Sequence, residues 1–191
     1  MGQIVRFWIA LLVLWLCSGP AWASSLDRAA AQAWASGLQA LQQEDWPAAL
    51  TDLHRTIALP NHPKYAAKRQ GALNNRCLVY IQLQHYHWAI ADCNAALAHA
   101  PTAAAFLNRG IAYHRLQQFE QAAANFTAAL RLTPYSAEAW LDRALVYLDL
   151  GQIQQARHDL QQAATCCDRH GPLHRYIRQT LESLPGSTTT A

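Results

Sequence analysis

Near the C-terminal end stand Cys166, Cys167, His170 and His174, residue types that bind zinc or undergo redox chemistry. Their spacing argues against a metal. Structural zinc sites usually separate their cysteines by about two to four residues, adjacent cysteines rarely turn both sulfurs to one ion, and Gly171-Pro172 interrupts the chain between the two histidines. A second thiol pair is Cys77 and Cys93. A third set is arithmetic: Arg76, Arg109 and Arg143 are each followed 16 residues later by Asp92, Asn125 or Asp159. Such an arginine could be placed for chemistry, but a catalytic arginine in triplicate would be odd. The recurrence points to architecture, a hydrogen bond or ion pair that fixes two elements in register. No HExxH, CxxCH, phosphate-cradling glycine loop or nucleophile elbow occurs. The expectation is therefore no enzyme, no cofactor and no metal.

The elements that position these residues emerge when the chain is aligned with itself. Residues 72–101, 105–134 and 139–168 superpose so that Tyr80, Tyr113 and Tyr147 align at spacings of 33 and 34. Ala89, Ala122 and Ala156 follow, then Ala96, Ala129 and Ala163, and a small residue (Cys77, Gly110, Ala144) stands three before each tyrosine. Phe106, Gly110 and Tyr113 form one helical stripe, and Ala122, Phe126 and Ala129 a second. A short turn between two such helices makes them antiparallel. Small residues then belong where the helices cross closely. A degenerate copy at 35–60 carries Gly37, Ala49 and Leu53 in the matching columns, with a longer linker marked by Pro60 and Pro63. The expected repeats span about 30–61, 70–101, 103–134 and 137–168 within a domain at 24–184. A capping helix at 172–184 would bury Leu173, Tyr176, Ile177, Leu181 and Leu184 on one face. Residues 185–191 would be a loose tail.

The pattern carried by Phe106, Gly110, Tyr113, Ala122, Phe126, Ala129 and Pro134, and again by Trp140, Ala144, Tyr147, Ala156, Leu160 and Ala163, resembles the tetratricopeptide repeat family. The resemblance covers about residues 30–168. It departs in the first copy, where Ala40 replaces tyrosine and Thr56 replaces alanine. It implies an all-α fold, a right-handed α-solenoid whose concave groove is lined by the first helix of each repeat.

Asn75, Asn108 and Asp142 form a column directly before the arginines, and the same helices carry Leu78, Ile111 and Leu145, then Ile81, His114 and Leu148. These apolar residues either pack against the neighbouring repeat or floor a groove whose polar ladder holds an extended peptide. An asparagine amide both donates and accepts, as a peptide unit does. The resemblance supports the second option, because some superhelices of this family clamp a ligand backbone with asparagines in this column. The family's basic carboxylate clamp does not fit: Ala104 and Leu107 stand where it would place lysine or asparagine, and Arg115 is the one groove cation. Cys77 and Cys93 fall in columns that touch within one repeat. A disulfide there would add about 3 kcal/mol, but the geometry is demanding, and the favoured expectation is two small buried thiols. His85 and His87 lie in a turn, and Lys64, Lys68 and Arg69 are expected on a solvated face.

Residues 1–23 have the form of a secretory signal peptide. Arg6 precedes the apolar run from Phe7 to Leu16, Gly19-Pro20 breaks it, and Ala21-Trp22-Ala23 supplies a small-x-small cleavage site. The run is shorter than the ~20 residues a spanning helix needs, although retention as an anchor stays open. Bulky Trp15 and Leu16 argue against lipidation at Cys17. The net charge is +3 and falls by one if Arg6 is removed, which argues for neither nucleic acid nor a membrane surface. The resulting expectation is an exported adaptor or assembly factor, periplasmic or extracellular (thylakoid lumen in a photosynthetic source), with a protein or peptide in its groove. The alternatives are a structural or oligomerisation module with an empty groove, or a redox- or metal-responsive protein using Cys77/Cys93 or Cys166/Cys167. The oligomeric state and the partner's identity are not fixed by the sequence.

Overall fold

A computed structural model describes residues 21–185, and every regular element among them is an α-helix. In chain order these are α1 (Ala21–Gln42), α2 (Trp46–Ile57), α3 (Pro63–Gln82), α4 (Tyr86–His99), α5 (Ala103–Arg115), α6 (Phe119–Leu132), α7 (Ala137–Asp149), α8 (Ile153–Cys166) and α9 (Pro172–Ser183). They pair as α1–α2, α3–α4, α5–α6 and α7–α8, each pair packing on the next, and α9 closes the end against α8. The result is a helical repeat solenoid. None of the described helices is long and apolar enough to cross a membrane. The expected leader lies mostly outside the described residues. In the uncut chain α1 already includes Ala21, Trp22 and Ala23.

Local chemistry sets the helix starts. Thr102 and Ser136 cap α5 and α7, their hydroxyls accepting from the amides of Ala105 and Ala139 at 3.2 Å. The turn inside each repeat passes through one left-handed residue: Glu44, Gln84, Gln117 and Gly151, with φ of 56°, 61°, 59° and 70°. Only Gly151 reaches that conformation without a Cβ penalty.

The longer linker predicted around Pro60 and Pro63 is instead mostly helix. Pro63 takes the first helical position, where its missing N–H costs nothing. The imidazole of His62 accepts from the amide of Lys64 at 3.3 Å. The inserted residues thus extend α3 rather than a loop. Those added turns are also not a bare solvated face. Tyr65 is buried and donates to Asp27 at 2.6 Å, and Lys64 reaches the same carboxylate at 2.8 Å. Arg69 donates to the carbonyl of Ile57 at 3.3 Å and to Asn61 at 3.0 Å.

In the first and third repeats the helices cross at a contact between a glycine and a larger residue. Gly37 faces Leu53, Gly110 faces Phe126, and a Cβ added at Gly110 would lie 2.6 Å from the Phe126 ring. Phe126, Leu53 and Leu160 are fully buried. Burial of such a side chain is worth about 2–3 kcal/mol. On α9 the capping face is narrower than expected. Ile177 and Leu184 are buried with Leu173 and Leu181 packed beside them, but Tyr176 is 48% exposed. Tyr176 lies one step round the helix from Ile177, beyond the stripe that faces α8.

Candidate functional site

First helices touch first helices along the solenoid: α1 meets α3, α3 meets α5 and α5 meets α7. No two second helices approach one another to the same degree among the described residues. The first helices therefore line the inner face of the curve.

The column before the arginines lies on those helices. Asn108 is 9% exposed, and its Nδ2 donates to Asn74 Oδ1 on α3 at 3.2 Å, which ties two repeats together. Asn75 and Asp142 are half-buried at the equivalent positions. Burial first, then the charge of Glu138 one turn away, pushes the Asp142 carboxyl up to about 6, against a smaller opposing pull from His114 and Arg115. Leu78, Ile111 and Leu145 are half-buried between these polar groups. Ile111 packs into the cores of two repeats and Leu145 into the last one, so packing against neighbours accounts for part of this apolar surface. His114 Nε2 lies 2.6 Å from Asp149 Oδ2, bridging α5 to α7, while Arg115 is exposed.

The arginines occupy the seam between the two helices of a repeat. Arg76 grips Asp92 with two hydrogen bonds of 2.6 and 2.7 Å, and Arg143 grips Asp159 at 2.7 and 2.9 Å. Hydrogen bonding to Asp92 raises the Arg76 pKa above its ordinary value. At Arg143 burial presses the other way, but the bonds and charge of Asp159 overcome it. Arg109 has no carboxylate at this place. It donates to Asn125 Oδ1 at 2.7 Å and to Asn94 Oδ1 of the preceding repeat at 2.6 Å, and burial lowers its pKa.

Cys77 and Cys93 form a disulfide with a Cα–Cα distance of 5.6 Å, and both residues are fully buried. This corrects the favoured expectation of two free thiols. The crossing of α3 and α4 is close because both contact positions are small, and it brings the Cα atoms within the range a disulfide spans. Cys166 and Cys167 are free and half-buried. Cys167 Sγ lies 3.7 Å from His174 Nδ1, and burial pushes the thiol pKa up, which keeps it protonated. Among the described residues no group of three or more His, Cys, Asp or Glu could hold a metal. The His85 ring lies tilted against Trp88, centroids 4.8 Å apart, and Trp88 is 59% exposed.

Sequence reasoning missed Asn74, Asn94 and Asp149, which act across repeats and so leave no intra-repeat spacing. It also missed Ser36 and Asp52, joined by a hydrogen bond of 2.5 Å. Their separation of 16 is the one the arginines show, and testing it in the degenerate copy would have found them.

The tetratricopeptide repeat profile matches residues 75–137 and again 110–172, together just over half of the chain. The chain belongs to the tetratricopeptide repeat family. No curated protein sequence matches it. Among solved structures it is similar to a thermophilic tetratricopeptide repeat protein of Thermus thermophilus, with 23% identity, TM-score 0.66, and 80% of this chain and 81% of that one covered. The MamA protein superposes with TM-score 0.62 at 16% identity, covering 73% of this chain and 74% of that one. The first tetratricopeptide domain of Spaghetti, solved bound to an HSP90 peptide, gives 0.53 at 22% identity, covering 60% of this chain and 94% of that one. At these identities the likeness is one of tetratricopeptide fold.

Proposed function

We propose that this tetratricopeptide repeat protein is a non-catalytic adaptor or assembly factor that works outside the cytoplasm and holds an extended protein segment against its inner face. The observation that carries the proposal is the inner column itself. Asn75, Asn108 and Asp142 stand at equivalent places on three successive first helices, among half-buried Leu78, Ile111 and Leu145. Polar groups at repeat spacing suit an extended backbone, whose amides also recur at fixed rise. The peptide-bound Spaghetti domain supports the same use of this fold. A chaperone-type carboxylate clamp is a poor model for the ligand, because Ala104 and Leu107 offer no cation. The N-terminal segment and the Cys77–Cys93 disulfide support export, since such bonds persist in oxidising compartments.

The test uses the full chain with a C-terminal affinity tag, expressed in its source so that any leader is processed. Partners captured by the native protein are compared with those of an Asn75→Ala, Asn108→Ala, Asp142→Ala variant of equal helicity. A partner held by the native chain and lost by the variant supports groove binding. A partner held equally by both moves the interface to another face and sinks the proposal.

A further inference from the structure

The inner face is not uniform along its length. Its second and third repeats present neutral amides, Asn74, Asn75 and Asn108. The fourth presents carboxylates on α7, Glu138, Asp142 and Asp149, the last of them already bonded to His114. Asp142 differs from Asp149 in making no hydrogen bond or ion pair among the described residues. It is half-buried, its carboxyl is held up at about 6 by burial and by Glu138, and His114 and Arg115 on α5 act on it only through their field. A desolvated carboxylate with open oxygens gains most from a cation that brings its own hydrogen bonds. One repeat earlier, Asn108 is nine-tenths buried and gives its Nδ2 to Asn74, while its Oδ1 accepts no hydrogen bond among the described residues. The open groups of both repeats are thus acceptors, at equivalent places on adjoining helices, with Ile111 and Leu145 beside them.

We propose that the segment bound in the groove carries a lysine or arginine whose charged head is received by Asp142, while Asn108 Oδ1 accepts a backbone N–H about one repeat away. The site discriminates by charge. A glutamate or aspartate at that position of the ligand would meet Asp142 and Glu138 and be rejected, which gives the groove a polarity opposite to that of a carboxylate-receiving one. The inference rests on the groove reading above, and its test separates the two.

Random peptides displayed on phage are selected in parallel on the full chain, on D142N and on an Asn75→Ala, Asn108→Ala variant, each verified as folded by thermal melting. The native chain is expected to enrich peptides with lysine or arginine in one fixed register. A synthetic winner should lose affinity about tenfold or more on D142N, or when its basic residue becomes glutamine. D142K should turn the preference to aspartate or glutamate. Its affinity for the native chain should rise between pH 5 and pH 7 as Asp142 ionises around 6. Enriched peptides that need Asn75 and Asn108 but show no basic position, or bind D142N equally, overturn the Asp142 subsite and leave the groove standing. No enrichment, or winners indifferent to every variant, overturns both.

Discussion

The second and third repeats build the same seam from different chemistry. In the second, the crossing of α3 and α4 is a disulfide between Cys77 and Cys93, beside a two-bond ion pair from Arg76 to Asp92. In the third, the crossing of α5 and α6 is Gly110 against the ring of Phe126, beside Arg109 bonded to the amide oxygens of Asn125 and Asn94. The same two columns meet in both repeats, so what a column fixes is a matched pair of side chains and a hydrogen-bond geometry rather than a residue type. A covalent link in one repeat does the work of shape in the next.

The largest effect should come from breaking the shape solution. Phe126→Ala leaves a cavity with no slack around it and is expected to cost about 3–5 kcal/mol in urea unfolding. Gly110→Ala should cost about 1–3 kcal/mol by pressing a methyl into that ring. Combining Gly110→Ala with Phe126→Leu recreates the Ala144–Leu160 pair of the fourth repeat and should recover most of the loss of Gly110→Ala. Additive losses instead would mean that the column volumes are not interchangeable.

The covalent solution comes next. A reductant should lower the stability of the native chain by about 2–4 kcal/mol. The Cys77→Ala, Cys93→Ala variant should melt at the same temperature with and without reductant, and Phe126→Ala should remain reductant-sensitive. An equal response in the double-cysteine variant would place the redox sensitivity at Cys166 and Cys167.

These comparisons also show what the sequence makes legible. The helix pairs, the seam and its 16-residue partners could be read because each repeats inside the chain, so a neighbouring copy vouches for each assignment. What acts between repeats could not. The Asn74–Asn108 and His114–Asp149 contacts depend on how far one repeat is rotated on the next, and no spacing within a repeat encodes that angle. The disulfide is hidden for a related reason. The repeat spacing gives its columns, but the closeness of the crossing depends on residue size at both positions together. The extension of α3 was hidden because two prolines read as a linker, although one of them starts the helix.

The inner column gives a further contrast, now between Asn108 and Asp142. A carboxyl raised from 3.8 to about 6 binds its proton more tightly in the folded chain than in the unfolded one. Its folded state is therefore favoured below pH ~4 and loses that advantage as pH rises through about 6. Asp142→Asn, which makes the fourth repeat like the third, should stabilise the protein by about 1–2 kcal/mol at pH 8 and leave it unchanged near pH 4. Together with the binding loss expected above, the result would mark Asp142 as a residue that costs stability and serves the ligand. Equal stability of the two proteins at both pH values would show that Asp142 is solvated like an ordinary surface carboxylate.

The smallest effect tests the charged half of the seam. Asp92→Asn gives the second repeat the neutral partner of the third and should cost about 1–2 kcal/mol, since Arg76 keeps a bond but loses its countercharge. The reverse change, Asn125→Asp, should gain less than about 1 kcal/mol. The new carboxylate pairs with Arg109 but gives up the bond that Asn125 Nδ2 donates to the carbonyl of Gln121 at 2.7 Å. A carboxylate close to that carbonyl is also repelled by it, so Arg109 must offset both losses before any gain appears. The asymmetry is the informative quantity. If Asn125→Asp stabilises as much as Asp92→Asn destabilises, the seam is governed by charge alone. If it destabilises, Asn125 is held in place by its own helix, and Arg109 has adapted to it.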